Sequence, residues 1–150
     1  MSSLHPRAVL LSGVALLALT GCSSSVEVAE APLAQDPACT EVARVWPQTV
    51  GGQELRDTSP SVPSVRAWGD PAIVARCGVP ALPPTTQQCI DASGIDWVAE
   101  DLSDGVRLTT FGRDPAIEVL VPNTYAPAPL LLPAFADAAQ VLPKNGHACV

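Results

Sequence analysis

Cys39, Cys77, Cys89 and Cys149 are the residues whose chemistry is easiest to name. No C-x-x-C pair occurs among them, and His147 is the only histidine beyond residue 5. A zinc site needs ligands more closely spaced than these, so no metal is expected. These four, with Cys22 set apart near the N-terminus, read instead as two disulfides. Three pairings satisfy the count and spacing does not choose between them. Cys39 and Cys149 lie in the terminal elements, and Cys77 and Cys89 flank one proline-rich loop, so Cys39–Cys149 and Cys77–Cys89 are the expected bridges.

Catalytic chemistry finds little to work with. A Ser-His-acid hydrolase needs a base beside its nucleophile, but His147 sits three residues from the chain end and no G-x-S-x-G is present. Asp91 and Asp96 flank Ser93-Gly94 with Trp97 close by, a faint version of the paired carboxylates of a glycosidase. Residues 100–105 resemble an acidic calcium loop, yet Gly112 stands where the closing acid is needed. Trp46, Trp68 and Trp97 read as core. Arg66 and Arg113, with Asp70 and Asp114, form the candidate ligand-binding set, because two guanidinium groups on one face can clamp a carboxylate or phosphate bidentately. No catalytic residue, metal or cofactor is assigned.

Cys22 carries a different chemistry. A polar start with His5 and Arg7 precedes a mostly apolar run over residues 8–19. Twelve helical residues rise about 18 Å, short of the roughly 30 Å of a hydrocarbon core, and small residues precede the cysteine, as in a cleaved signal. Leu19-Thr20-Gly21-Cys22 resembles a lipobox, which implies a diacylglyceryl thioether on Cys22, cleavage before it, and acylation of the new amino terminus by a fatty acid such as palmitate. Residues 1–21 are then a signal peptide and 22–35 a lipidated flexible tether. Such a tether would reach about 45 Å when extended and about 20 Å on average.

Fifteen acids oppose eight basic residues, for a formal charge of −7, and of these only Arg7 falls in the leader. So acidic a chain is repelled by nucleic acid phosphates and by anionic headgroups. No nucleic acid partner is expected, and attachment to a membrane has to come from the lipid anchor.

The elements that must position these groups follow from capping, periodicity and turns. Asp36-Pro37 opens a helix whose apolar face is Cys39, Val42, Ala43 and Trp46. From residue 65 the period becomes two. Strands are expected over 65–68, 73–79, 89–92, 95–100, 107–111 and 116–121, with turns at Gly69-Asp70-Pro71, Ser93-Gly94 and Gly112-Arg113-Asp114-Pro115. Leu131, Phe135, Ala138 and Leu142 share one helical face, with Pro133 tolerable only in the first turn. Residues 36–150 therefore read as one α+β domain: an antiparallel sheet of about four to six strands, with helices near 38–46 and 130–142 on one face, stapled by disulfides.

Trp68-Gly69-Asp70-Pro71-Ala72-Ile73 resembles Phe111-Gly112-Arg113-Asp114-Pro115-Ala116-Ile117, with one residue inserted. These are first of all two well-made turns. Placed side by side, the same corners would present Asp70, Arg113 and Asp114 to a ligand.

With these features in view, the chain resembles the domain of unknown function 3515, a set of actinobacterial secreted proteins and lipoproteins. The residues that carry the resemblance are Asp36-Pro37-Ala38-Cys39, Trp68-Gly69-Asp70-Pro71, Arg76-Cys77-Gly78, Cys89, Asp96-Trp97, residues 111–116 and Cys149. It implies an envelope protein on the extracytoplasmic face of the plasma membrane and brings no activity, cofactor or catalytic residue. The expected function is a non-enzymatic module that binds an envelope protein or a cell-wall component. Its rivals are a small-ligand binder using the arginine-bearing corners and an enzyme of unrecognised type.

Overall fold

A computed structural model describes residues 24–150. Cys22 and the signal segment lie outside the described residues. In chain order the elements are β1 (Val26–Glu27), α1 (Pro37–Arg44), β2 (Thr49–Val50), β3 (Gln53–Arg56), β4 (Thr58–Ser59), β5 (Val65–Trp68), β6 (Ile73–Val79), β7 (Cys89–Ala92), β8 (Ile95–Asp101), β9 (Gly105–Thr110), β10 (Ala116–Pro122), two 3-10 segments (Asn123–Tyr125 and Ala128–Phe135) and α2 (Ala136–Gln140). The fold is α+β, built on an antiparallel sheet in the order β2-β3-β5-β6-β10-β9-β8-β7.

The sheet has eight strands rather than four to six. The added pair is β2 and β3, at one edge. Gln53-Glu54-Leu55-Arg56 lacks apolar alternation, and none of its four residues is buried in the core. Gly51 and Gly52 both take positive φ, as a two-residue hairpin requires.

One face of the sheet carries the core. Trp68, Ile73, Ala75, Cys77, Ile95, Trp97, Leu108, Ile117 and Val119 meet Cys39, Val42 and Trp46 from the α1 region and Leu132, Phe135, Ala138 and Leu142 from the C-terminal helices. All three tryptophans are buried here. Phe135 packs edge-on against Trp68, at 5.6 Å, and against Trp97, at 6.5 Å. Asp36 caps α1 as expected, its Oδ1 accepting the Ala38 N–H at 2.8 Å. The second helix is shorter than expected. Pro133 lies inside the segment and removes a donor needed for i→i−4 bonding, and residues 128–135 take the tighter 3-10 form, so that only Ala136–Gln140 is α-helical.

The opposite face is polar at its centre. Glu118, almost wholly buried, accepts from Arg76 Nε at 2.8 Å, and Arg107 Nε stands 3.3 Å from its other oxygen. Arg107 in turn pairs with Glu100 at 2.8 Å.

Along this face runs a segment expected to be a free tether. Residues 24–35 are docked. Val26 and Glu27 pair in parallel with Thr58 and Ser59. Arg56 Nη2 donates to Ser24 O (2.8 Å), Arg76 Nη1 to Ala29 O (3.3 Å) and Leu33 N–H to Gly78 O (2.8 Å). Gly78 is required at that crossing: a Cβ there would run into the backbone of Leu33 and Ala34.

The disulfides are Cys39–Cys77 and Cys89–Cys149, not the pairs expected. The reason lies in strand parity. Cys77 faces the core beneath α1. Cys89 pairs with Val98, the neighbour of core-facing Trp97, and so points to the other face. Two cysteines that flank one loop yet sit on opposite faces of a sheet cannot bridge.

Candidate functional site

β6 and β10 are antiparallel neighbours, with Val74 opposite Leu120 and Val79 opposite Ala116. The corner before β6 and the corner before β10 therefore lie at opposite ends of the sheet, separated by the seven residues of β6, about 23 Å of strand. Arg66, Asp70, Arg113 and Asp114 are not one constellation. Arg66 turns back on its own loop, donating to Val65 O (2.7 Å) and Val62 O (3.2 Å). Asp70 is exposed, 3.8 Å from Arg56. Asp114 is exposed as well. Both Asp–Pro bonds are cis.

Arg113 is the member of the set that the fold buries, at 7% exposure. Its Nη1 donates to Leu142 O at 2.8 Å, and Gln140 O lies 3.5 Å away, so the guanidinium caps the carbonyl end of α2. Burial disfavours its charged form and lowers its pKa, while the nearby Asp96 carboxylate acts the other way.

Around Arg113 the chain end closes over the second corner. Asp114 N–H donates to Pro143 O (3.1 Å), and Asn145 N–H to Gly112 O (3.0 Å). Gly112, at φ +73°, leaves no room for a Cβ beneath the His147 carbonyl. Asp96 Oδ2 accepts the Cys149 N–H at 2.8 Å, and the Cys89–Cys149 bridge pins the tail to β7. His147 lies stacked on Phe111, ring centroids 5.7 Å apart.

This stack divides a cleft. On one side is a cavity of about 470 Å³ walled by Thr85, Thr86, Gln87, Cys89, Cys149 and Val150. On the other is one of about 250 Å³ walled by Gly94, Asp96, Gly112, Arg113, Lys144 and Gly146. Lys144 is the only lysine of the chain, and it lies at the rim with the exposed His147. The arrangement offers an aromatic platform, hydroxyl and amide donors on one side, and a cationic rim against one carboxylate on the other. That is the chemistry of binding a polar, anion-bearing molecule.

Asp91 and Asp96 do sit directly opposite each other in the β7–β8 ladder. Asp96 is engaged by the tail, however, and Trp97 lies on the core face, so Trp97 forms no wall beside the two acids. Residues 101–105 form a strand-connecting turn, with Leu102 N–H donating to Gly105 O at 2.9 Å. Among the described residues no group of three or more His, Cys, Asp or Glu is placed to hold a metal ion. At the first-corner end a second, more apolar groove of about 470 Å³ is floored by Val74 and Leu120 and edged by Pro71, Leu102 and Asp104.

The tail's part in the cleft went unseen in the sequence. The signal that could have revealed it was the Cys89–Cys149 pairing, which places Phe111 under His147.

No curated protein and no solved structure matches the chain. A family model does, over residues 8–145, and its span takes in both corners, the docked segment 24–35, the core and most of the cleft. The chain belongs to the family described as protein of unknown function (DUF3515).

Proposed function

We propose that this protein is a lipid-anchored, non-enzymatic binding module on the extracytoplasmic face of an actinobacterial plasma membrane, and that it uses the cleft around Phe111 and His147 to engage an envelope protein or a cell-wall component. The observation that carries the reading is this cleft. Its polar walls converge from four separate segments, and the tail is held over it by a disulfide, a backbone ladder and Asp96. Support for the address comes from Leu19-Thr20-Gly21-Cys22 after a short apolar run, together with two disulfides, which persist in oxidising compartments.

A second reading, a small anionic ligand held at the rim, is favoured by Lys144 and Arg113 lining the same side of the cleft. Both readings are tested by comparing wild-type protein with Cys22→Ala and Lys144→Glu variants. Cys22→Ala should leave the membrane fraction. Lys144→Glu should remain membrane-bound but lose capture of envelope material in detergent. Unchanged fractionation of the first variant would refute the anchor, and unchanged capture by the second would refute the cleft.

A further inference from the structure

The strap over residues 24–35 has a direction. Ser24 is held beside Arg56, whose Nη1 donates to Gly69 O at 2.9 Å in the first corner. Ala29 lies over Arg76, midway along β6, and Leu33 over Gly78, near its far end. The segment thus runs the length of the polar face from the first-corner end toward the second. Its bonds are made by backbone groups at both ends and in the middle, and those nearest the anchor are the ones at Ser24 and Val26.

From this we infer that the strap is a clamp that sets the pose of the domain on its membrane: the first-corner end faces the bilayer and the Phe111–His147 cleft faces away. The inference rests on the proposed lipidation of Cys22. Only Ser23 stands between that cysteine and the docked Ser24, so two peptide steps reach about 7 Å. A free tether of residues 22–35 would let the domain tumble; the clamp leaves it no such freedom.

The surface turned to the bilayer consists of the turns at Gly51-Gly52, Gly69–Ala72 and residues 102–104, with the apolar groove between them. Asp70 and Asp104 are exposed there. Their repulsion from anionic headgroups decays over roughly 8 Å at physiological salt, about the length of the leash. The end therefore stands just off the surface rather than pressing into it. The cleft, beyond strands of seven residues, is carried about 23 Å farther out.

The test uses the full lipidated protein in vesicles of phosphatidylcholine with a minority of phosphatidylglycerol, carrying a headgroup acceptor dye. A donor dye is placed on a single added cysteine, either Ser103→Cys at the first-corner end or Lys144→Cys at the other. Transfer from position 103 should exceed that from position 144 at least twofold, and Arg56→Ala, which removes the donor that holds Ser24 nearest the anchor, should narrow that gap. If Arg56→Ala fails to fold, a Gly-Ser insertion of about ten residues between Ser23 and Ser24 lengthens the leash without touching the domain and should narrow the gap in the same direction. Equal transfer from both positions in vesicle-bound protein overturns the clamp and leaves the anchor standing. Protein that does not float with vesicles, and whose N-terminal peptide lacks acyl mass, overturns both.

Discussion

The two Asp-Pro corners begin with the same residues and end in different company. Trp68 lies opposite Ile73 and both face the core. At the second corner Arg113 is inserted, and the residue facing the core beside Ile117 is Thr110, whose Oγ1 accepts the Ile117 N–H at 3.0 Å. Thr110 pairs with core-facing Trp97, so Phe111, one step on, points to the other face. A one-residue change in a period-two element reverses which side the aromatic serves. The first corner spends its aromatic on packing; the second turns it outward, where His147 stacks on it. The inserted arginine, meanwhile, is the group that caps α2. One extra residue thus separates a structural turn from the floor of a cleft.

The corners also differ in what holds them. The first is braced by Tyr125, whose hydroxyl donates to Pro71 O at 2.9 Å, and by Arg56. The second is braced by the chain end. The sharpest way to break the comparison is therefore to free that end. Cys89→Ser with Cys149→Ser opens a 60-residue link, worth up to about 4 kcal/mol on the chain-entropy model. Amide exchange should quicken at Asp114 and Asn145 and stay slow at Gly69. Equal loosening of both corners would erase the distinction.

Arg113→Met removes charged hydrogen bonds to buried carbonyls and should cost about 2 kcal/mol in chemical denaturation. Tyr125→Phe, the matching cut at the first corner, should cost about 1 kcal/mol and leave the His147 ring environment unchanged by NMR. Smallest of all are Asp70→Ala and Asp114→Ala. The sequence suggests a turn-forming role for both acids, with a loss of order 1 kcal/mol. Both side chains are exposed, so each substitution should fall within about 0.5 kcal/mol. A clear drop in melting temperature for either would return the acids to the centre of the turn.

Side-chain patterns made part of this fold legible. β5, β6 and β7 occupy the residues that alternation and turn chemistry assign to them, and Asp36-Pro37 opens α1, because each of these depends on apolar period or local capping. The strap stayed hidden for the opposite reason. It binds through backbone groups of Ser24, Val26, Val28, Ala29 and Leu33, which leave no periodic trace. The β2–β3 edge offered Gly51-Gly52 as its hairpin signal, but the same pair also reads as a helix stop. The cleft depended on the disulfide pairing, and that is set by which face of the sheet Cys77 and Cys89 occupy, a property of register rather than of spacing.

The central claim is that the second-corner end is the one that meets a partner. A photo-reactive residue placed at Thr86, in the wall of the cleft, or at Ser103, in the turn at the other end, tests it in growing cells. The account predicts a discrete crosslinked product from position 86 and none from position 103. A product from position 103 alone, or none from either, would contradict it.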